Sequence, residues 1–187
     1  MIVDDSFLSA QQIQDVQDRV IKHGLDIPWT LAYNTDVDNG KESIDGDGVY
    51  NSYQFAAGLT PHMPAYNYFM NVFQAFTSKH KISYNEIIRV KLNWLPRNSE
   101  GNPDSWHMPH VDADTEHQVF LYYLNDSDGD TFFFNESYPL TEGSELTLSK
   151  RVSPVAGKGV IFDGLTYHAS SSPIKSNYRC ILNVDFK

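Results

Sequence analysis

The sequence predicts an α+β fold: a double-stranded β-helix, a cupin-like jelly roll of two facing sheets, with N-terminal helices packed on the outer face of one sheet. Three observations carry that prediction. Apolar residues recur at helical spacing only in the first part of the chain. After about residue 84 the pattern switches to short β-prone runs separated by turn formers. The last run, Tyr178–Phe186, has one apolar face (Tyr178, Cys180, Leu182, Val184, Phe186) and one more polar face (Arg179, Ile181, Asn183, Asp185). A strand with helices behind it and a polar cavity in front needs that division.

The first helix is expected near residues 10–23. Ser9 is a good N-cap, and Gln12 completes a capping box, with Leu8 and Ile13 at the staple positions. Ile13, Val16 and Val20 follow at helical spacing, and Gly24 is a natural stop. Residues 34–48 gather turn formers and read as a solvated loop; Asp45-Gly46-Asp47-Gly48 lacks the spacing of an EF-hand calcium loop. Within residues 61–79, Tyr66, Phe69, Met70, Phe73 and Phe76 form the apolar stripe of a second helix. Residues 87–94 then alternate, with Ile88, Val90, Leu92 and Trp94 against Arg89, Lys91 and Asn93, and Pro96 ends the strand. Further strands are expected at 118–124, 130–135, 146–148 and 159–162. Asp126-Ser127-Asp128-Gly129-Asp130 reads as a hairpin turn. The organisation is one domain over 1–187, with helical support over about 1–83 and a jelly-roll core over about 84–187.

Composition narrows the function. A net charge of −10 argues against a nucleic-acid partner, which calls for a basic face. Arg89, Lys91 and Arg97 are the one candidate for a local basic patch. A single cysteine, Cys180, excludes an internal disulfide and fits a reducing compartment. Its place on an apolar strand face marks it as inert. With no leader and no apolar run of membrane length, the expectation is a cytoplasmic protein with no membrane contact.

The chemistry concentrates in Trp106-His107-Met108-Pro109-His110-Val111-Asp112. On an extended segment, residues two apart project to the same face, so His110 and Asp112 converge. His107 is not part of that pair and is placed at the entrance; His117 is placed in a loop or at a strand edge. His168 follows the 159–162 strand and Arg179 lies on the next. Jelly-roll strands return to one cavity mouth, so these distant residues can meet His110 and Asp112. Two imidazoles and one carboxylate suit Fe(II) and leave three coordination positions open. One net positive charge would remain, favouring an anionic co-substrate, and a buried arginine would match the far carboxylate of a 2-oxo diacid.

Several features, in order, resemble the 2-oxoglutarate/Fe(II)-dependent oxygenases, and within them the prolyl 4-hydroxylase-like group. They are His110-x-Asp112, Leu121-Tyr122-Tyr123-Leu124-Asn125, Gly129-Asp130-Thr131-Phe132-Phe133, Pro154-x-x-Gly157, Val160-Ile161-Phe162, His168 and Arg179. The resemblance covers roughly the last 100 residues, and the opening Val3-Asp4-Asp5-Ser6-Phe7-Leu8 is similar to how such domains begin. It implies that His110, Asp112 and His168 hold iron. It implies that Arg179, with the Tyr123 phenol, binds the distal carboxylate of 2-oxoglutarate, and that Asn183 lines the pocket. It further implies dioxygen as co-substrate, ascorbate as an optional addition, and a peptidyl-prolyl or small-molecule substrate. Two positions depart from the pattern. Leu95 stands where a tyrosine commonly precedes the strand-ending proline, which leaves Asn93, on the same face, as a substitute hydrogen-bonding group. Ile181 stands where some relatives carry a hydroxyl. A cupin-like metal- or sugar-binding jelly roll without oxygenase activity is the alternative, since such a module keeps the ligands without needing Arg179. A purely structural subunit would fill its interior with apolar groups, against the polar inner face of the last strand.

Overall fold

The computed structural model describes residues 1–22, 25–32, 52–141 and 143–187. Helix α1 spans Ala10–Ile21 and buries Val16 and Val20. The capping box forms as expected: the Ser9 hydroxyl accepts from the Gln12 amide at 3.3 Å, and the Gln12 side-chain oxygen accepts from the Ser9 amide at 2.9 Å. The expected stop at Gly24, and the 34–48 loop with its calcium question, lie outside the described residues. Helix α2 spans Pro64–His80, with the proline in its first turn, where no amide partner is needed, and Lys81 in a left-handed conformation (φ 55°) closing it.

The strands are β1 (Ile2–Asp4), β2 (Thr30–Ala32), β3 (Gln54–Gly58), β4 (Ile87–Pro96), β5 (Gln118–Tyr123), β6 (Thr131–Ser137), β7 (Leu148–Val152), β8 (Gly159–Asp163), β9 (Thr166–Ser170) and β10 (Tyr178–Phe186). They pair antiparallel in a seven-stranded sheet, β1-β8-β5-β10-β4-β3-β2, and a three-stranded sheet, β7-β6-β9. Both helices pack on the outer face of the larger sheet. There Phe69, Phe73 and Phe76 of α2 meet Leu92, Phe120, Leu182 and Phe186. Between the sheets a second cluster joins Val119, Leu121, Tyr123, Val160, Phe162 and Ile181 to Phe133 and Val152. This is a double-stranded β-helix with helices on one outer face. Among the described residues, no helix is long and apolar enough to cross a membrane.

Some expectations are corrected. The 125–130 segment is not a hairpin turn, because β5 and β6 belong to different sheets. It is a connector pinned from outside: the Asp128 carboxylate accepts the amides of Lys175 at 2.8 Å and Ser176 at 2.9 Å, and that of Asp126 accepts Ala156 N–H at 2.7 Å. The strand expected at 146–148 is β7, Leu148–Val152; Leu146 instead packs beside Phe132 and Phe134. Strands β1, β2, β3 and β9 were not anticipated, and the first three place part of the 1–83 segment inside the sheet. They are three to five residues long, too short for alternation to show.

Candidate metal centre

His110 is not on a regular strand. A single bridge holds it to β9, His110 N–H donating to His168 O at 2.9 Å and His168 N–H to His110 O at 3.0 Å. That bridge sets the two imidazoles side by side, 4.7 Å between ring centroids. One ligand atom each from His110, Asp112 and His168 lie within 4.8 Å of one another. Carbonyl oxygens only accept, so the contacts of His110 Nδ1 with Met108 O and of His168 Nδ1 with Thr166 O, both 3.1 Å, put the ring proton on Nδ1. Nε2 is then the ring nitrogen that each histidine could offer to a cation, as in metal-ligating histidines.

The Asp112 side chain is 7 % exposed and divides its oxygens. Oδ1 takes the Arg89 guanidinium, which also reaches Asp185 Oδ2 at 2.9 Å. Oδ2 accepts from Asn183 Nδ2 at 3.1 Å and faces His168 Nε2 at 3.5 Å. Burial pushes the Asp112 carboxyl up, but the hydrogen bond and charge of His168, with Arg89 and His110 behind them, hold it well below its ordinary value. Burial works against a charged His168, and Asp112 outweighs it, raising the imidazole. The donor set, two neutral-capable imidazoles and an ionised carboxylate, fits a borderline divalent cation.

These ligands stand in a cleft between the sheets that also includes Asn93, Asn183, Thr131 and Arg179 in its walls. Arg179 is 1 % exposed; its Nη2 donates to Thr131 Oγ1 at 2.8 Å, and its guanidinium lies 5.8 Å from the Tyr123 ring centroid. Leu95, cross-strand from Arg179, and Ile181, two residues on, make that end of the cleft apolar. The Tyr123 hydroxyl donates to the same Thr131 oxygen at 2.8 Å. Tyr122 turns to the outer core, as alternation requires. Asn93 lines the cleft, and its Nδ2 donates to Gln54 Oε1 at 2.7 Å. Asn183 lines the cleft and directs its amide at Asp112.

Two surface expectations fail. His107 does not line the entrance. It is 1 % exposed, with Nδ1 3.0 Å from Ser170 Oγ and Nε2 3.2 Å from Ser172 Oγ. Burial, then the charge of Arg179, lower its pKa to about 3. Arg89 and Lys91 do not make a basic patch with Arg97: Arg89 is paired with two carboxylates and Lys91 lines the cleft. Cys180 is buried and burial pushes its thiol up to about 12, in keeping with an inert role. Sequence reasoning gave no role to Arg89 as partner of Asp112, or to Thr131, Gln54 and Lys91 in the cleft. Inward parity on β4 was the available signal for Arg89 and Lys91.

Comparison with solved structures decides the fold. An oxidoreductase of the 2OG-Fe(II) oxygenase family from Burkholderia pseudomallei superposes with a TM-score of 0.59 at 14 % identity, covering 97 % of this chain and 81 % of that one. A prolyl-4-hydroxylase from Pseudomonas putida gives 0.56 at 16 % identity, covering 100 % and 91 %. The chain has the fold of the 2OG-Fe(II) oxygenases. A third oxygenase-fold neighbour, the non-haem alpha-ketoglutarate-dependent epimerase SnoN of nogalamycin biosynthesis, gives 0.62 at 11 % identity over 100 % and 76 %. One fold thus carries a hydroxylase and an epimerase, so the scaffold does not dictate the reaction. No protein-family model matches the chain, and no curated protein does.

Proposed function

We propose that the chain is a non-haem Fe(II) dioxygenase that couples oxidative decarboxylation of 2-oxoglutarate to hydroxylation of a substrate. The observation that carries the reading is the convergence of His110, Asp112 and His168 within 4.8 Å, in the same cleft as the buried Arg179. Fe(II) held by His110, Asp112 and His168 would supply the activation of dioxygen, the oxidant: 2-oxoglutarate, dioxygen and a C–H substrate give succinate, carbon dioxide and the hydroxylated product, one atom of dioxygen going to succinate and the other to the new hydroxyl.

The chain's own residues do the positioning. Arg89 and Asn183 fix the two oxygens of Asp112, and the Met108 and Thr166 carbonyls fix the tautomers of the two histidines. Arg179 supplies a permanent charge to the distal carboxylate of the co-substrate in an apolar end of the cleft that excludes water. Tyr123 acts through Thr131, holding the hydroxyl that meets Arg179.

Anaerobic addition of Fe(II) and 2-oxoglutarate together is expected to give a visible charge-transfer band that neither gives alone. Admitting oxygen is expected to convert 2-oxoglutarate to succinate. Asp112→Ala removes both responses, while Arg179→Ala weakens 2-oxoglutarate binding by roughly tenfold or more. A protein that binds iron but shows no band is a metal-binding jelly roll without this activity. Succinate formed at an unchanged rate by Asp112→Ala overturns the ligand assignment.

A further inference from the structure

The inner face of β10 carries a second buried carboxylate that the proposed activity does not use. Arg179, Ile181, Asn183 and Asp185 follow one another along that face, from the co-substrate end of the cleft past the residue that holds Asp112. The Asp185 side chain is 2 % exposed. Its neighbours across the sheet are Arg89 on β4 and Val119 on β5. Arg89 meets its Oδ2 at 2.9 Å, while Oδ1 is buried and, among the described residues, accepts no hydrogen bond. Val119 belongs to the apolar cluster between the sheets. A carboxylate in such a place costs folding free energy, because burial strips its water and the protein meets only one of its oxygens.

The cation it meets is the one that also holds Asp112. A single nitrogen, Arg89 Nη2, contacts both Asp112 Oδ1 and Asp185 Oδ2. Arg89 Nε is buried with no acceptor among the described residues, so the two carboxylates are what locate the guanidinium there. Set against Asp112 alone, that guanidinium would cancel the charge of the triad's carboxylate. His110 and His168 must be neutral to serve as ligands, so the centre would then offer no net charge to a divalent cation. Asp185 restores one negative charge, two carboxylates standing against one guanidinium. Charges this close, in a wall largely shut off from water, act strongly on a cation held by Asp112.

We infer that Asp185 is a positioning residue of the metal centre, which holds Arg89 and offsets its charge. Arg89 can then fix Asp112 Oδ1 without weakening Asp112 as a ligand through Oδ2. The inference rests on the metal triad of the oxygenase reading above and adds an outer member to it. An ion pair that served folding alone would make the charge of Asp185 necessary for stability. Here that charge is dispensable for folding and matters to the metal.

The test is Mn(II) binding to the metal-free protein at pH 8, without 2-oxoglutarate, followed through the EPR signal of free Mn(II). That pH lies above the value of about 7 to which burial, then the charge of Asp112, push the Asp185 carboxyl against the pull of Arg89. Asp185→Asn keeps the shape and removes the charge. It is expected to weaken Mn(II) binding by roughly tenfold or more, with a metal-free urea midpoint equal to or above that of the parent. Arg89→Met added to Asp185→Asn removes the cation as well, and binds Mn(II) more tightly than Asp185→Asn alone. Unchanged Mn(II) affinity in Asp185→Asn overturns the inference. So does a loss of affinity matched by a lower urea midpoint, the mark of a structural pair, and so does a double variant that binds no more tightly than the single. A parent that binds no Mn(II) fails the oxygenase reading itself, and the inference with it. A parent and an Asp185→Asn variant that bind Mn(II) equally well fail the inference alone.

Discussion

Asp112 shows how one residue is held between two demands. Its Oδ2 faces His168 and its Oδ1 is given to Arg89, whose guanidinium is shared with Asp185. Both carboxylate side chains are almost fully buried, at 7 % and 2 % exposure; His168 and Asn183 also face Asp112, and Arg89 is the cation the two carboxylates share. Burial and the charge of Asp112 already push the Asp185 carboxyl up to about 7 against the pull of Arg89, so without Arg89 it either takes up a proton or stands as a second buried anion beside Asp112. Arg89→Met is expected to destabilise the metal-free protein at neutral pH by about 2 kcal/mol, below the range for fully buried pairs because the arginine is 36 % exposed. Adding Asp185→Asn in that background recovers part of the loss, since one anion is gone; urea unfolding of the two single variants and the double measures the coupling. If the double variant is less stable than Arg89→Met, the charge argument is wrong. Cys180 makes a simpler prediction at this scale. With its thiol pushed up to about 12 and the residue 2 % exposed, it stays unlabelled by iodoacetamide at pH 8 in the folded protein and reacts once urea unfolds it.

The long strands and the helices were legible because each carries its own period. β10 alternates without interruption between the outer core and the cleft, and α1 announces its start in Ser9 and Gln12. The connector after β5 was not legible. Its composition is that of a turn, but whether the next strand pairs with β5 or crosses to the facing sheet is decided by partners some 45 residues later. The same limit applies to the site. His110 and Asp112 advertise themselves two residues apart, whereas Arg89 reads as surface until Asp112 and Asp185 are folded beside it. Gly129 tests the connector. A Cβ there would lie 2.5 Å from Ser171 O and 2.8 Å from Pro173 N, both backbone atoms that cannot swing away. Gly129→Ala is expected to cost about 2 kcal/mol in urea unfolding, against about 1 kcal/mol for Ser9→Ala at the exposed helix cap. Equal losses would mean that the connector yields as easily as a cap does.

At the scale of the molecule, the segment that delivers His110 is sewn to β9, and His107 is one of the stitches. Its amide donates to Ser170 O at 2.7 Å, and its ring nitrogens meet Ser170 and Ser172. The ring stays neutral because burial and the nearby Arg179 lower its pKa to about 3, while in the unfolded chain it returns to about 6.5. Below pH 6.5 the unfolded state therefore binds a proton that the folded state refuses. Stability conferred by the neutral ring is full above 6.5 and is lost as pH falls toward 3, at about 1.4 kcal/mol per unit. His168 works in the opposite sense, its folded pKa being raised by Asp112, so the pH profile of the parent protein mixes both. The difference between parent and His107→Gln isolates one of them. The variant is less stable at pH 7.5, having lost a fitted ring, but its deficit shrinks steadily as pH falls from 6.5 to 4.5, measured as the midpoint of urea unfolding. A deficit that stays constant across that range would mean that His107 takes up its proton in the folded protein, and that the strap carrying His110 is more open to solvent than its burial implies.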